Sequence, residues 1–295
     1  MTKKARSALQ AYGLLMPAFL VTISMMIYPL LITVNLSLRT GTSMNFAKLA
    51  RSPLGLKNYI EVFSNPATWN SLGLSLVYTF SGTFSAFAIG LGTALLLNRL
   101  KALRRFMRIL ILLPWAVPGV VASICFLWML DPSYGIVNYI LRSAGLIRGN
   151  LGWFADPRMA MFSAIIPTVW KGYPFFTITL LAALQSIPET YYEAGRVDGA
   201  SSLDLFRHIT WPAIQNSAVL AIVLNGLWIF RVFDIIYPTT QGGPMGATDI
   251  LAIRLYNEAF KYFRMSRAAT LGILTFGVCA IFVFSLYPLM KRKFY

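Results

Sequence analysis

Residues 186–212 read SIPETYYEAGRVDGASSLDLFRHITWP and hold four of the chain's ten acidic side chains, Glu189, Glu193, Asp198 and Asp204. The segment stands between two long apolar runs. Ser186 followed by Glu189 has the form of a capping box, which satisfies free N–H groups at a helix start and predicts a short helix over about 187–198. Gly199 ends it. Ser201 and Asp204 repeat the signal, Leu205, Phe206 and Ile209 give one apolar face, and Pro212 is expected to stop this second helix. The segment reads as an elbow of two amphipathic helices, a shape that also suits a structural element lying among lipid headgroups.

The rest of the chain is apolar. Its 295 residues are 57% hydrophobic and 12% charged, with a mean hydropathy of +0.63, which marks a membrane protein. A helix needs roughly 20 apolar residues to cross about 30 Å of hydrocarbon. Six runs qualify, at about 12–36, 69–98, 109–130, 159–184, 217–237 and 268–290. The first lacks a signal-peptide cleavage site and reads as a retained span. Lys3, Lys4 and Arg6 precede it, and residues 98–108, NRLKALRRFMR, carry five basic side chains and no acidic one. Such dense basic segments resist translocation, so both are expected on the cytoplasmic side, together with Lys291, Arg292 and Lys293.

Composition also excludes chemistry. The net charge of +16 is spread in small groups beside apolar spans, which fits anionic headgroups better than nucleic acid. One histidine, His208, and two cysteines, Cys125 and Cys279, do not make the usual zinc sites. Each cysteine falls inside a span and is expected to be a packing residue. No lysine follows a glycine, so the chain lacks a phosphate-binding P-loop. No Ser-His-Asp constellation can be nominated, and a membrane-embedded hydrolase is a third reading for which the sequence offers no good nucleophile.

Three ionisable residues fall within the expected spans: Lys171, Arg231 and Asp234. A charge inside a membrane costs about 3 kcal/mol on insertion scales, so each needs a partner or an aqueous path. Arg231 and Asp234 have helical spacing for an ion pair. Together with Trp228 and Asn225 they can also face one cavity, where an aromatic plate and polar groups suit a sugar. A tryptophan packed on lipid or a neighbouring helix satisfies the same pattern. Gly172 and Pro174 are expected to loosen the helix beside Lys171, and Pro114, Pro118 and Gly119 to interrupt the third span, as at a gate.

The elbow resembles the EAA loop of ABC importer permeases, whose pattern is E-A-A, three residues, G, nine residues, then I-x-L-P. Glu193, Ala194, Gly199, Ile209 and Pro212 match at the required intervals, while Gly195 and Trp211 replace the usual alanine and leucine. The segments YIEVF, NSLGLSLVYT, LLPWAVPGVVASICFLWM, WKGYPFFTITLLAALQSIP and FDIIYPTTQGGP look like the carbohydrate-type permeases, including relatives for maltose and glycerol phosphate. That resemblance implies an all-α membrane protein with six transmembrane helices and the type I importer permease fold.

It further implies alternating access driven by ATP, a second permease subunit, two ATPase subunits and an extracytoplasmic solute-binding protein. ATP and magnesium would sit on the ATPase subunits, with no cofactor on this chain. Glu193, Ala194, Gly195, Asp198, Gly199, Ile209 and Pro212 would form the coupling surface. Residues 1–68 would be an N-terminal transmembrane helix and first outer loop, and 69–295 a five-helix permease core. Its outer segment QGGPMGATDILAIRLYNEAFKYF is expected to combine a flexible Gly242-Gly243-Pro244 turn with an amphipathic helix. The competing reading is an ion-coupled secondary transporter using Lys171, Arg231 and Asp234. Two cations against one anion would accommodate an anionic sugar derivative, though Lys171 belongs to the generic W-K-x-x-P-F element.

Overall fold

The computed structural model describes residues 3–41, 43, 45–100 and 104–291. The expected basic groups at Lys101, Arg292 and Lys293 lie outside the described residues. Among the described residues every regular element is helical, apart from one isolated bridge between Arg39 and Leu54. The chain packs as two compact units, Met1–Thr68 with Leu255–Gly277, and Trp69–Arg254 with Val278–Tyr295.

In the first unit, α1 (Lys3–Thr22) and α2 (Tyr28–Ser37) join through a π-helical turn, so Tyr12–Ser37 is one apolar span. From Tyr12 to Leu31 its large apolar side chains are exposed, as expected of a helix solvated by hydrocarbon. Its end is fixed by polar contacts. After α3 (Phe46–Arg51), buried Asn58 on α4 (Lys57–Ser64) donates to the carbonyls of Ser37 at 3.0 Å and Arg39 at 2.7 Å. Arg267 faces Glu61 at 3.2 Å.

The second unit is a helical bundle. It contains α5 (Pro66–Arg99), α6 (Arg104–Ala116), α7 (Gly119–Met129), α8 (Ile136–Ser143) and α9 (Pro157–Gln185). The chain continues through α10 (Glu189–Val197), α11 (Ser202–Leu205), α12 (Trp211–Phe230), α13 (Ile236–Thr240), α14 (Leu251–Tyr256) and α15 (Met265–Lys291). α9 is the central helix and packs against α12 and α6. Phe176, Leu180, Leu181, Ile214 and Ala218 close the core at one end, and Tyr78, Ala164, Ile229, Ile236, Ile250 and Ile253 close it at the other. Tyr78 and Thr168 share a hydrogen bond inside this second cluster.

Among the described residues, four helices are long and apolar enough to cross a membrane, or five if α6 and α7 form one span bent by 91°. α9 occupies the expected fourth span with 29 residues. It is more polar than the others, and buried Ser163, Thr168 and Thr177 face protein and not hydrocarbon.

Several local expectations are corrected. Pro212 does not stop a helix: a π-helical turn at Phe206–Thr210 joins α11 to α12, giving one rod over Ser202–Phe230. Pro212 falls in the first turn of α12, where its missing N–H costs little. α9 continues through Gly172 and Pro174. Cys125 is exposed and not a packing residue, while Cys279 is half-buried and both are free thiols.

Candidate functional site

The elbow is α10, a turn at Gly199, and the start of the Ser202–Phe230 rod. Its second capping box forms as expected. Asp204 N lies 3.3 Å from Ser201 Oγ, and Asp204 Oδ2 accepts from Ser201 N at 3.0 Å and from Ser201 Oγ at 2.5 Å. The Ser201 hydroxyl and backbone N–H hold the Asp204 carboxyl below its ordinary value by stabilising the charged form. The first capping box does not form. Ser186 ends α9, its hydroxyl donating to Ala183 O at 2.8 Å, and Pro188 precedes α10. Proline supplies no side-chain acceptor but pre-sets the helix entry.

Gly199 has φ +78°, a left-handed conformation that reverses the chain without a Cβ penalty. Gly195 brings α10 close to the rod: a Cβ there would meet Leu205 Cδ2 at 2.6 Å and Ile209 Cδ1 at 3.4 Å. Glu193, Ala194, Asp198 and Gly199 are exposed on the outer side of the elbow, while Ile209 and Pro212 are half-buried. The expected residues therefore divide into a presented face and an anchoring face.

At the other end of the rod is a cavity of about 550 Å³. Its wall includes Asn225, Trp228, Arg231 and Asp234, the four residues nominated from sequence, and Lys171. Trp115, Phe175 and Phe233 complete the aromatic lining. Trp228 and Phe175 meet edge to face with ring centroids 4.9 Å apart. The sequence offered no periodic signal for Trp115 or Phe175, because each reaches the cavity from another helix.

The charges are arranged differently from a helical ion pair. α12 ends at Phe230, so the chain turns between Arg231 and Asp234 and their i, i+3 alignment is lost. Arg231 Nε instead donates to Leu227 O at 3.1 Å. Asp234 sits against the break between α6 and α7: a Cβ on Gly119 would collide with its carboxylate. Lys171 on α9 donates to Val117 O at the same break, and Asp234 acts on it electrostatically. Pro118 supplies that break, with φ −55° and ψ 141° at the start of α7. The carbonyl freed beside Lys171 thus belongs to the third span and not to Lys171's own helix. Pro174 remains buried within α9.

The segment after the cavity is tied down and not a loose turn. Thr248 Oγ1 lies 2.6 Å from Thr240 Oγ1 and donates to Gly243 O at 2.7 Å. Asp249 accepts from Arg254 at 2.7 Å and Ser71 at 3.2 Å. Burial pushes the Asp249 carboxyl up, against the opposing pull of Arg254.

The chain as a whole is similar to known proteins. The profile described as binding-protein-dependent transport system inner membrane component matches residues 86–294. The trehalose/maltose transport system permease protein MalF of Thermococcus litoralis is 36% identical over 278 residues, covering 92% of this chain and 90% of its own length. The sulfoquinovosyl glycerol transport system permease protein SmoG of Agrobacterium fabrum is 31% identical over 275 residues, covering 92% and 86%. A solved bacterial alginate ABC transporter, in complex with an alginate pentasaccharide-bound periplasmic protein, contains a chain of the same fold. Its TM-score is 0.83 at 21% identity, over 99% of this chain and 98% of that one.

Proposed function

The chain belongs to the family of binding-protein-dependent transport system inner membrane components, and on that premise we propose that it moves a sugar or sugar derivative through the Trp228 cavity. It is the membrane-spanning subunit of an ATP-driven importer. Bond chemistry takes place elsewhere, since ATP is hydrolysed on separate subunits, and this removes the ion-coupled secondary transporter from consideration. The sugar class draws on the names of the relatives and on an aromatic and polar cavity wall suited to carbohydrate.

The observation that carries the mechanism is the rod. Ser202–Phe230 is 29 residues long, or roughly 43 Å at 1.5 Å per residue, with the elbow at one end and Asn225 and Trp228 near the other. A force applied to the elbow is therefore delivered to the cavity wall by one helical body. In the full assembly a second permease subunit, as a heterodimer, closes the open side of the cavity. Two ATPase subunits, which bind ATP and magnesium, receive the two elbows, and an extracytoplasmic solute-binding protein delivers cargo.

ATPase closure draws the elbows together and opens the cavity outward, and hydrolysis returns it inward. Glu193, Ala194, Gly195, Asp198 and Gly199 form the coupling surface, with Ile209 and Pro212 anchoring it. Lys171 and Pro118 hold the broken span at the gate, with Pro174 in the adjoining helix. The dense basic segment at 98–108 favours an orientation with both termini in the cytoplasm.

The test is uptake and ATP hydrolysis by the reconstituted complex carrying Glu193→Lys. Glu193 is exposed, so the fold should be retained. The expected outcome is ATP hydrolysis uncoupled from uptake. Normal uptake would remove Glu193 from the coupling surface, and failure of an ATPase to copurify with the unaltered chain would overturn the partner assignment.

A further inference from the structure

We infer that the Trp228 cavity selects an acidic sugar derivative, with Arg231 binding its single anionic group and Asn225 accepting one of its hydroxyls. This rests on the sugar reading above and adds the charge of the cargo.

Among the described residues the cavity is lined by three ionisable ones with a formal charge, Lys171, Arg231 and Asp234. Two of them are already committed to the broken span. Lys171 is bonded to Val117 O and Asp234 is lodged at Gly119, where its negative charge acts on Lys171. These two charges offset one another across the break. Arg231 is the surplus cation, since the wall carries two positive charges and one negative.

Arg231 is exposed and lines the cavity, and among the described residues only its Nε is engaged, with Leu227 O. The two terminal nitrogens remain available for the bidentate geometry that guanidinium makes with a carboxylate, sulfonate or phosphate. An unbalanced cation in a low-dielectric wall is costly, and a monoanion brings the wall to neutrality.

Asn225 is the second and independent observation. It is 3% exposed, lines the cavity, and its buried Oδ1 has no hydrogen-bond partner among the described residues. A buried unpaired acceptor costs on the order of 1–3 kcal/mol. Oδ1 is sealed from the cavity in this conformation, so a turn of the Asn225 side chain toward the cargo would let a sugar hydroxyl donate to it and remove that penalty. Asn225 and Arg231 flank Trp228 along the chain, so anion, ring face and hydroxyl are read by one short stretch.

The test uses the purified complex in nanodiscs, without binding protein, titrated with sodium glucuronate and with glucose by saturation-transfer NMR. Glucuronate should bind at least about tenfold more tightly than glucose, the difference a charge-assisted pair provides. Arg231→Gln should bring glucuronate to the level of glucose while glucose binding is retained, which also shows that the variant is folded. Arg231→Lys should restore part of the preference, and Asn225→Val should weaken both sugars. Equal binding of the two sugars to the unaltered complex, or a preference that survives Arg231→Gln, would overturn this inference alone. If neither sugar binds, the sugar reading of the cavity falls with it.

Discussion

The elbow and the cavity belong to the same compact unit and share one rod, yet their geometry arises in different ways. At the elbow, neighbours in sequence are neighbours in space: Ser201 caps with Asp204, Gly199 turns the chain, and Gly195 meets Leu205. At the cavity, the decisive contacts join distant residues: Lys171 with Val117, Asp234 with Gly119, Phe175 with Trp228. Such regions should fail independently. A local element tolerates a small loss in one contact, whereas a gate assembled from three helices depends on each wall.

Gly119→Leu should have the largest effect, and it should fall on the cavity alone. Its side chain would enter the space of the Asp234 carboxylate at the span break, and overpacking of this kind costs about 1–3 kcal/mol. Uptake should fall to background while the ATPase still copurifies, because the elbow is untouched. Loss of ATPase binding in this variant would show that the two regions are not separable.

Ser201→Ala acts at the other region. Removing this cap should cost about 1 kcal/mol locally. Hydrogen exchange should rise at the start of the rod, with a partial fall in the coupling ratio and unaltered sugar binding in the cavity. Unchanged exchange at Asp204 N–H would mean that the cap contributes nothing.

The Asp204 cap also has a predicted pH dependence. Its folded-state pKa is lowered, chiefly by the Ser201 hydroxyl, so its contribution is fully present above the unfolded-state value. The contribution is lost as pH falls below about 4 and through the folded-state value. Exchange protection at Ser201 N–H, which donates to Asp204 Oδ2, should decline over that range and should lose its pH dependence in Asp204→Asn.

The smallest effect is expected for Gly195→Ala. The added Cβ meets the far end of the Leu205 side chain, which can change rotamer, while alanine favours the helix by up to about 1 kcal/mol. Melting temperature and coupling should be nearly unchanged. A large loss of coupling would mean that the α10 approach to Leu205 is more tightly set than its flexible partner suggests.

Legibility in the sequence follows the same division. The Ser201–Asp204 cap, the Gly199 turn and the interruption at Pro118 and Gly119 are readable, because capping and proline chemistry act within a few residues, whereas Pro114, expected to share in that interruption, lies inside α6. Asn225, Trp228, Arg231 and Asp234 line one cavity, but helical spacing does not account for how they meet there. Helical spacing predicted an Arg231–Asp234 pair, and the end of α12 at Phe230 redirected both side chains. The misread stop at Pro212 has a similar origin: a proline in a first helical turn is compatible with helix, and only the π-helical turn before it joins α11 to α12.

Sequence by itself determined the apolar spans, the elbow's spacing and turn, and the absence of a P-loop, since these depend on residue type and short-range periodicity. Only the tertiary structure decided that Lys171 serves the break in another span, that Asp234 lodges beside Gly119, and that Arg231 is left as the surplus charge. The physical reason is that an intramembrane charge must find compensation wherever packing brings a carbonyl or counter-charge near it, and helix periodicity carries no information about which neighbouring helix that is.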